Sequence, residues 1–211
     1  MLEIIALTLG PVSTNCYLAG DTKSGEAVVV DPAWNGKMIL QEALHHRWKI
    51  RQLWYTHAHF DHFGGAEELA RGLESTPEVA LHAADRELWE AGGLGKGLGY
   101  QFGRFPEPSL DLSVTKNLAI GEYRFQVRHA PGHTPGLCIF HCAQEMVIFS
   151  GDLIFRGGVG RTDLPGGDWG TLLTSIRDQV YTLPEETRIL PGHGEETNVG
   201  EEKCNNPFIR G

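Results

Sequence analysis

The chain has 211 residues, 41% of them hydrophobic, and a formal net charge of −9. Its length and apolar content suit one sizeable core and exclude general disorder. The acidic balance speaks against a broad nucleic-acid or anionic-membrane surface, since both need an excess of Lys and Arg, and no apolar run approaches the ~18 residues of a membrane span.

Met1 to Leu7 reads as a first strand, because it lacks both the positive start and the long apolar stretch of a signal peptide. A cytoplasmic protein is expected. Asn15 to Ala19 and Glu26 to Asp31 read as paired strands around a turn at Asp21 to Gly25. The spacing predicts an amphipathic helix over Lys37 to Trp48 and a short apolar strand over Gln52 to Tyr55. A helix then opens at Asp61 or His62 and runs to about Arg71, followed by a strand over Glu78 to His82 and a short helix over Asp85 to Glu90. From Ala91 to Ser109 there is little pattern, and the run Gly92 to Tyr100 is too rich in glycine for a stable helix. Two readings stand for it, a substrate lid or a mobile surface loop.

The second half is strand-rich, with Tyr123 to His129, Leu137 to Cys142 and Met146 to Ser150 as strands. A Gly-rich loop, Arg156 to Gly167, leads to a helix from about Trp169 to Val180, and Arg188 to Leu190 is a last strand. No composition shift marks a linker, so one domain over 1–211 is expected. Cys16, Cys138, Cys142 and Cys204 form no Cys-x-x-Cys pair and read as buried free thiols of a reducing compartment.

The most informative stretch is Thr56-His57-Ala58-His59-Phe60-Asp61-His62, which packs three histidines and an aspartate into six positions. Imidazole nitrogen and carboxylate oxygen are the ligands of zinc and similar divalent ions. Residues His57 and His59, two apart in an extended segment, point the same way; Asp61 and His62, at a turn into a helix, can serve a neighbouring site. Three further polar marks follow apolar strands: Pro131-Gly132-His133-Thr134, Ser150-Gly151-Asp152 and Pro191-Gly192-His193-Gly194. The other histidines stand apart. His45 and His46 read as helix-surface residues, and His82, His129 and His141 as structural. Asp31 reads as a hydrogen-bonding support of the ligand loop rather than a ligand.

In these motifs and their order the chain resembles the metallo-β-lactamase superfamily, from about Thr14 to Gly194. The resemblance implies an α/β fold, the αββα metallo-β-lactamase sandwich of two mixed sheets flanked by helices, with metals at the edge where strand-end loops converge. It implies that His57, His59 and His133 hold one ion, that Asp61, His62 and His193 hold a second, and that Asp152 bridges them. The cofactors expected are two divalent ions, zinc first, with iron or manganese as alternatives. Bound water can have its pKa lowered to about 7, so a bridging hydroxide serves as nucleophile and no Ser or Cys is needed. Asp61 is expected to orient it and handle its proton.

Within the superfamily the run Gly151 to Asp163 and the ending Asn206-Pro207-Phe208 resemble the short, single-domain members of the glyoxalase II-like branch. That branch implies a hydroxyacylglutathione hydrolase, cleaving a small-molecule thioester such as a glutathione conjugate. Few residues follow His193, so the C-terminal helical domain with which glyoxalase II recognises glutathione is expected to be absent. The branch's Lys and Tyr after the bridging Asp are replaced by the Arg161-Thr162-Asp163 region, and its Tyr after the last ligand His has no match. Arg161 either takes a substrate carboxylate or pins its own loop through Asp163 or Asp168. The rival is an iron-dependent persulfide dioxygenase, a group that shares a Gly-Arg-Thr-Asp segment; a lactone or ester hydrolase of the same fold is a further alternative. A β-lactamase is disfavoured because those enzymes generally lack the bridging aspartate.

Overall fold

The structure, a computed structural model, describes residues 1–211. Two six-stranded sheets lie face to face. The first runs β1 (Leu2–Leu9), β2 (Thr14–Asp21), β3 (Glu26–Val30), β4 (Lys49–Trp54), β5 (Glu78–Leu81) and β6 (Leu110–Asp111), in that order. Its first two pairings are antiparallel and the rest parallel. The second sheet contains β7 (Asn117–Ile120), β8 (Tyr123–His129), β9 (Cys138–Cys142), β10 (Val147–Gly151), β13 (Arg188–Pro191) and β14 (Thr197–Asn198), in the order β14-β13-β10-β9-β8-β7. Only β10 and β13 run parallel there. Between them in sequence, β11 (Ile154–Phe155) and β12 (Gly158–Val159) form a small hairpin.

Period-two alternation in the strands builds three layers of core. Val28, Val30 and Trp54 point inward and meet Phe125, Phe140 and Phe149 of the opposite sheet. The alternate residues Ala27, Val29 and Leu53 point outward, where α1 (Gly36–His45) and α3 (Ala66–Gly72) cover them with Ile39, Ala43 and Leu69. On the other side Ile139, Ile148 and Ile189 meet Leu172, Ile176 and Val180 of α5 (Trp169–Ser175) and the π-helical turn that continues it to Val180. Fully burying a large apolar side chain is worth roughly 1.5–3 kcal/mol. Strands buried on both faces therefore hold the helices on the outside, which is the αββα sandwich expected from the sequence.

Several elements differ from the sequence expectation. Helix α1 stops at His45 rather than Trp48, because Arg47 takes a positive φ of 59° and Trp48 turns inward to the core. The helix expected over 61–71 is two pieces, α2 (Phe60–Phe63) and α3. They part at Gly64-Gly65, which lie so close to Trp34 and Pro32 that no side chain fits. The sequence pattern missed β6, β7, β14, the β11–β12 hairpin and α6 (Val199–Asn205). The strands, of two to four residues, are too short to show a period, and the seven residues of α6 make only about two turns. All four cysteines are free as expected, but Cys204 is exposed on α6 rather than buried.

The sheets are sewn together at one edge. Thr14 bridges to His193, and the Asn15 amide N–H donates to Gly192 O at 2.7 Å. The Asn15 side chain donates to Pro191 O and Gly194 O, and the Tyr17 hydroxyl donates to Pro191 O at 2.7 Å. At this edge the parallel strands β3, β4, β10 and β13 all end, and Asp31, His57, Asp152 and His193 follow them.

Candidate metal centre

Each ligand-type residue singled out in the sequence reaches one cluster. His57, His59 and His133 bring ligand atoms within 4.8 Å of one another, and so do Asp61, His62 and His193. His59 Nδ1 lies 2.8 Å from His133 Nε2. Asp152 stands between the two trios: Oδ1 is 3.4 Å from His62 Nε2, and Oδ2 is 3.5 Å from His193 Nε2 and 3.6 Å from His133 Nε2. The two carboxylates meet at His193, whose Nε2 is also 3.3 Å from Asp61 Oδ2. All seven residues are buried except His193, which is partly exposed at the mouth.

A supporting layer aims these rings. The carboxylate of Asp31, held at a positive φ of 51°, accepts the Thr56 N–H and hydroxyl at 2.7 Å each and pairs with His62 Nδ1 at 2.9 Å. That fulfils its reading as a support and leaves His62 Nε2 facing the cluster. The Thr56 hydroxyl also contacts His57 Nδ1 at 3.0 Å. His133 Nδ1 lies 2.8 Å from the Arg161 carbonyl, and Asp61 Oδ2 accepts the Thr14 hydroxyl at 2.8 Å.

Sequence reasoning missed Asp85. It is fully buried, and it accepts from Ala58 N–H at 3.0 Å, the Thr134 hydroxyl at 2.8 Å and Gly136 N–H at 2.6 Å. Its carboxylate thus ties the His57–His59 loop to the His133 loop. It sits at the start of a short helix, α4 (Arg86–Glu90), where an aspartate reads as an ordinary helix opener. Nothing in its local sequence marks it.

Electrostatically the cluster is divided. Burial, with His62 and His133 beside it, holds His57 neutral well below the usual histidine range. Burial and His133 push His59 down to about 3. Burial opposes charge on Asp152, yet His62, His133 and His193 hold its carboxyl at about 2; Asp61 is held well below the carboxylate range, against burial, by His62 and by contacts with His193 and Thr14. His62 feels Asp152, Asp61 and Asp31 at once, which overcome its burial and raise it well above the ordinary value; His193 is raised in the same way by Asp61 and Asp152. The set therefore places ionised carboxylates with the proton-holding imidazoles of His62 and His193 on one side and the neutral imidazoles of His57 and His59 on the other.

The residues fit a metal. His57 Nε2, His59 Nε2, His62 Nε2 and Asp152 Oδ1 are buried with no hydrogen-bond partner. An unmet buried polar atom costs about 1–3 kcal/mol, so four in one cluster call for a cation between them. The other histidines stay outside: His82 and His129 stack on each other at 4.1 Å, and His45 and His46 sit at the end of α1.

Above the cluster lies a cavity of about 660 Å³, floored by His59, Asp61, His133, Asp152 and His193. The Gly-rich run forms one wall. The Gly93 carbonyl accepts the Phe60 N–H at 3.0 Å, and Gly93, at φ 60°, lies so close to Ala58 and Phe60 that a Cβ would collide with their backbone. Tyr100 stacks on Phe60 at 4.9 Å and meets the edge of Trp34 at 5.5 Å; Phe102 joins them. These contacts anchor the run as a wall. Arg161 lines the opposite side, but its guanidinium is held by Asp163 through two hydrogen bonds of 2.7 Å.

Residues 9–193 match the profile of the Metallo-beta-lactamase superfamily, and the chain belongs to that superfamily. It is a metallo-hydrolase of this fold. Over its whole length it is similar to a crystal structure of BLEG-1 B3 metallo-beta-lactamase, with 34% identity and a TM-score of 0.90, covering 100% of each chain. It is also similar to TTHA1623 in a di-iron-bound form, at 36% identity and a TM-score of 0.86, covering 97% of this chain and 100% of that one. Among curated relatives, the hydroxyacylglutathione hydrolase GloC of Haemophilus influenzae is 34% identical over 218 residues, covering 99% of this chain and 97% of the relative.

Proposed function

We propose that the protein is a two-metal hydrolase that cleaves a small thioester, in the manner of the hydroxyacylglutathione hydrolase it is similar to. His57, His59 and His133 would hold one ion, Asp61, His62 and His193 the other, and Asp152 both. The observation that carries this reading is the position of Asp152, with one oxygen facing His62 and the other facing His133 and His193. A carboxylate so shared suits two ions better than the single iron of a dioxygenase. Zinc fits the nitrogen and oxygen donors best; iron fits them too and is supported by the similarity to TTHA1623 in a di-iron-bound form.

Two divalent ions would supply a water acidic enough to ionise near neutral pH and a Lewis acid for the scissile carbonyl. The chain supplies the rest by position. Thr14 fixes the Asp61 carboxylate, whose Oδ2 faces the cavity edge between His62 and His193. From there it would take the proton of the attacking water. A thiolate leaves readily without first being protonated, so the demand for proton transfer falls on the water. Burial of the floor strengthens each of these contacts by excluding water.

Similarity to a B3 metallo-beta-lactamase favours a second reading, β-lactam hydrolysis at the same floor. The test is one metal-defined sample assayed for cleavage of a thioester panel that includes S-lactoylglutathione and acyl-N-acetylcysteamines, cephalosporin hydrolysis, lactone hydrolysis and oxygen uptake with glutathione persulfide. Thioester cleavage above the other rates is expected. Oxygen uptake without thioester cleavage refutes the hydrolase, and faster cephalosporin turnover transfers the assignment to the second reading.

A further inference from the structure

The cavity above the cluster is built for an uncharged, hydrocarbon-bearing substrate. From its walls, we infer that the preferred thioester carries an apolar acyl chain on a small neutral thiol, not a lactoyl group on glutathione. This inference rests on the thioester reading above and names its substrate class.

Six apolar side chains form the walls, Phe60 of α2 among them. Val12 comes from the β1–β2 turn, Leu94 and Leu98 from the Gly-rich run, and Leu164 and Pro165 from the loop after β12. Val12 is 46% exposed and Leu98 66% exposed, and both border this one cavity. The wall is held in place rather than floppy. Leu94 is fixed at a positive φ of 69° immediately after the docked Gly93, and Tyr100 stacks on Phe60 just beyond Leu98. A pre-formed apolar wall costs little ordering on binding, so burial of a hydrocarbon against it is realised as affinity.

Charge argues the same way. A glutathione conjugate carries two carboxylates and one ammonium. Above the metal-binding floor, Arg161 is the only charged side chain of the lining. Its Nε and Nη2 already donate to the two oxygens of Asp163, whose charge offsets that of the guanidinium. A substrate carboxylate on the remaining N–H groups would lie beside the Asp163 carboxylate, so an exposed contact there gains little. Lys96, on the same run, lies back against Gly92 and is not part of the wall. The chain's net charge of −9 opposes the approach of an anion further.

The test separates binding from turnover. Non-hydrolysable thioethers, N-acetyl-S-hexylcysteamine, S-hexylglutathione and S-methylglutathione, are titrated into the metal-loaded protein by calorimetry. The matching hexanoyl and lactoyl thioesters of N-acetylcysteamine and glutathione are then assayed for cleavage. The neutral hexyl thioether is expected to bind at least tenfold tighter than S-methylglutathione, with hexanoyl-N-acetylcysteamine the best-cleaved thioester. Leu98→Asp should weaken the hexyl thioether about tenfold or more, whereas Leu44→Asp, an equally exposed site on α1, should not. Tighter or equal binding of S-methylglutathione, or indifference to Leu98→Asp, overturns the inference. The expected binding order with no thioester cleaved at all would instead refute the thioester reading and leave the pocket's preference standing.

Discussion

Asp85→Ala should be among the most damaging single changes outside the cluster. The carboxylate is fully buried and accepts three hydrogen bonds, from Ala58, Thr134 and Gly136. Removing it strands three buried donors, each costing about 1–3 kcal/mol, so the loss is roughly 3–9 kcal/mol. For a chain of this size a kcal/mol is worth about 2–4 °C, giving a fall in Tm of roughly 6–36 °C. Asp85→Asn should cost less. Its amide oxygen can keep the bonds to Ala58 and Thr134, and only its NH2 then opposes the Gly136 N–H. Burial sets the Asp85 pKa above its ordinary value, against the pull of those donors. A carboxyl raised on folding stabilises fully below its unfolded pKa and loses that contribution as pH rises through the folded one. The variants should therefore lose this part of the acid-side pH dependence. Thermal melts of parent, Asp85→Asn and Asp85→Ala, with metal content measured on the same samples, check the argument. The two loops carry His57, His59 and His133, so metal retention should fall in the same order as Tm. A shift under ~3 °C in Asp85→Ala with full metal content would refute the role given to this residue.

Asp152→Ala is expected to lower both metal equivalents, while His193→Ala empties mainly one; elemental analysis after reconstitution reads the difference. Asp61→Asn should slow thioester cleavage at least ~tenfold, as expected on losing a proton-transfer group. Metal loading should release protons and weaken as pH falls, because His62 and His193 have raised pKa values and must be deprotonated to bind; calorimetry in two buffers of different ionisation enthalpy counts the protons. In the metal-free protein a raised His62 stabilises fully below the ordinary histidine pKa. That contribution is lost as pH rises through its folded value, so metal-free melts should decline above neutrality.

The seven His and Asp residues that the fold gathers were legible from sequence because metal chemistry restricts side-chain types and because tight turns after apolar strands leave a local signature. His57, His59, Asp61 and His62 announce themselves by spacing alone, and His133, Asp152 and His193 by the Gly-flanked turns that carry them. The strands with two buried faces were equally visible, since Val28-Val29-Val30 is apolar whichever side it presents. Tertiary structure alone decided the rest. Asp85 serves the site through contacts 27, 49 and 51 residues distant, and a buried carboxylate cannot be told from a surface helix opener until those partners fold around it. At Gly64-Gly65 two poor helix formers weaken the helix locally, and the approach of Trp34 explains why no larger residue stands there. The Gly-rich run read as a lid or a mobile loop because glycine predicts freedom. In the structure the run lines the cavity, and freedom to take φ 60° at Gly93 lets it dock on the loop that carries His57 and His59. For Arg161 the sequence leaves two readings, a grip on a substrate carboxylate or a pin for its own loop, and only the fold shows two of its N–H groups on Asp163. Sequence fixes which chemistry a site can hold, since that depends on residue type; the packing of distant segments fixes which substrate can reach it.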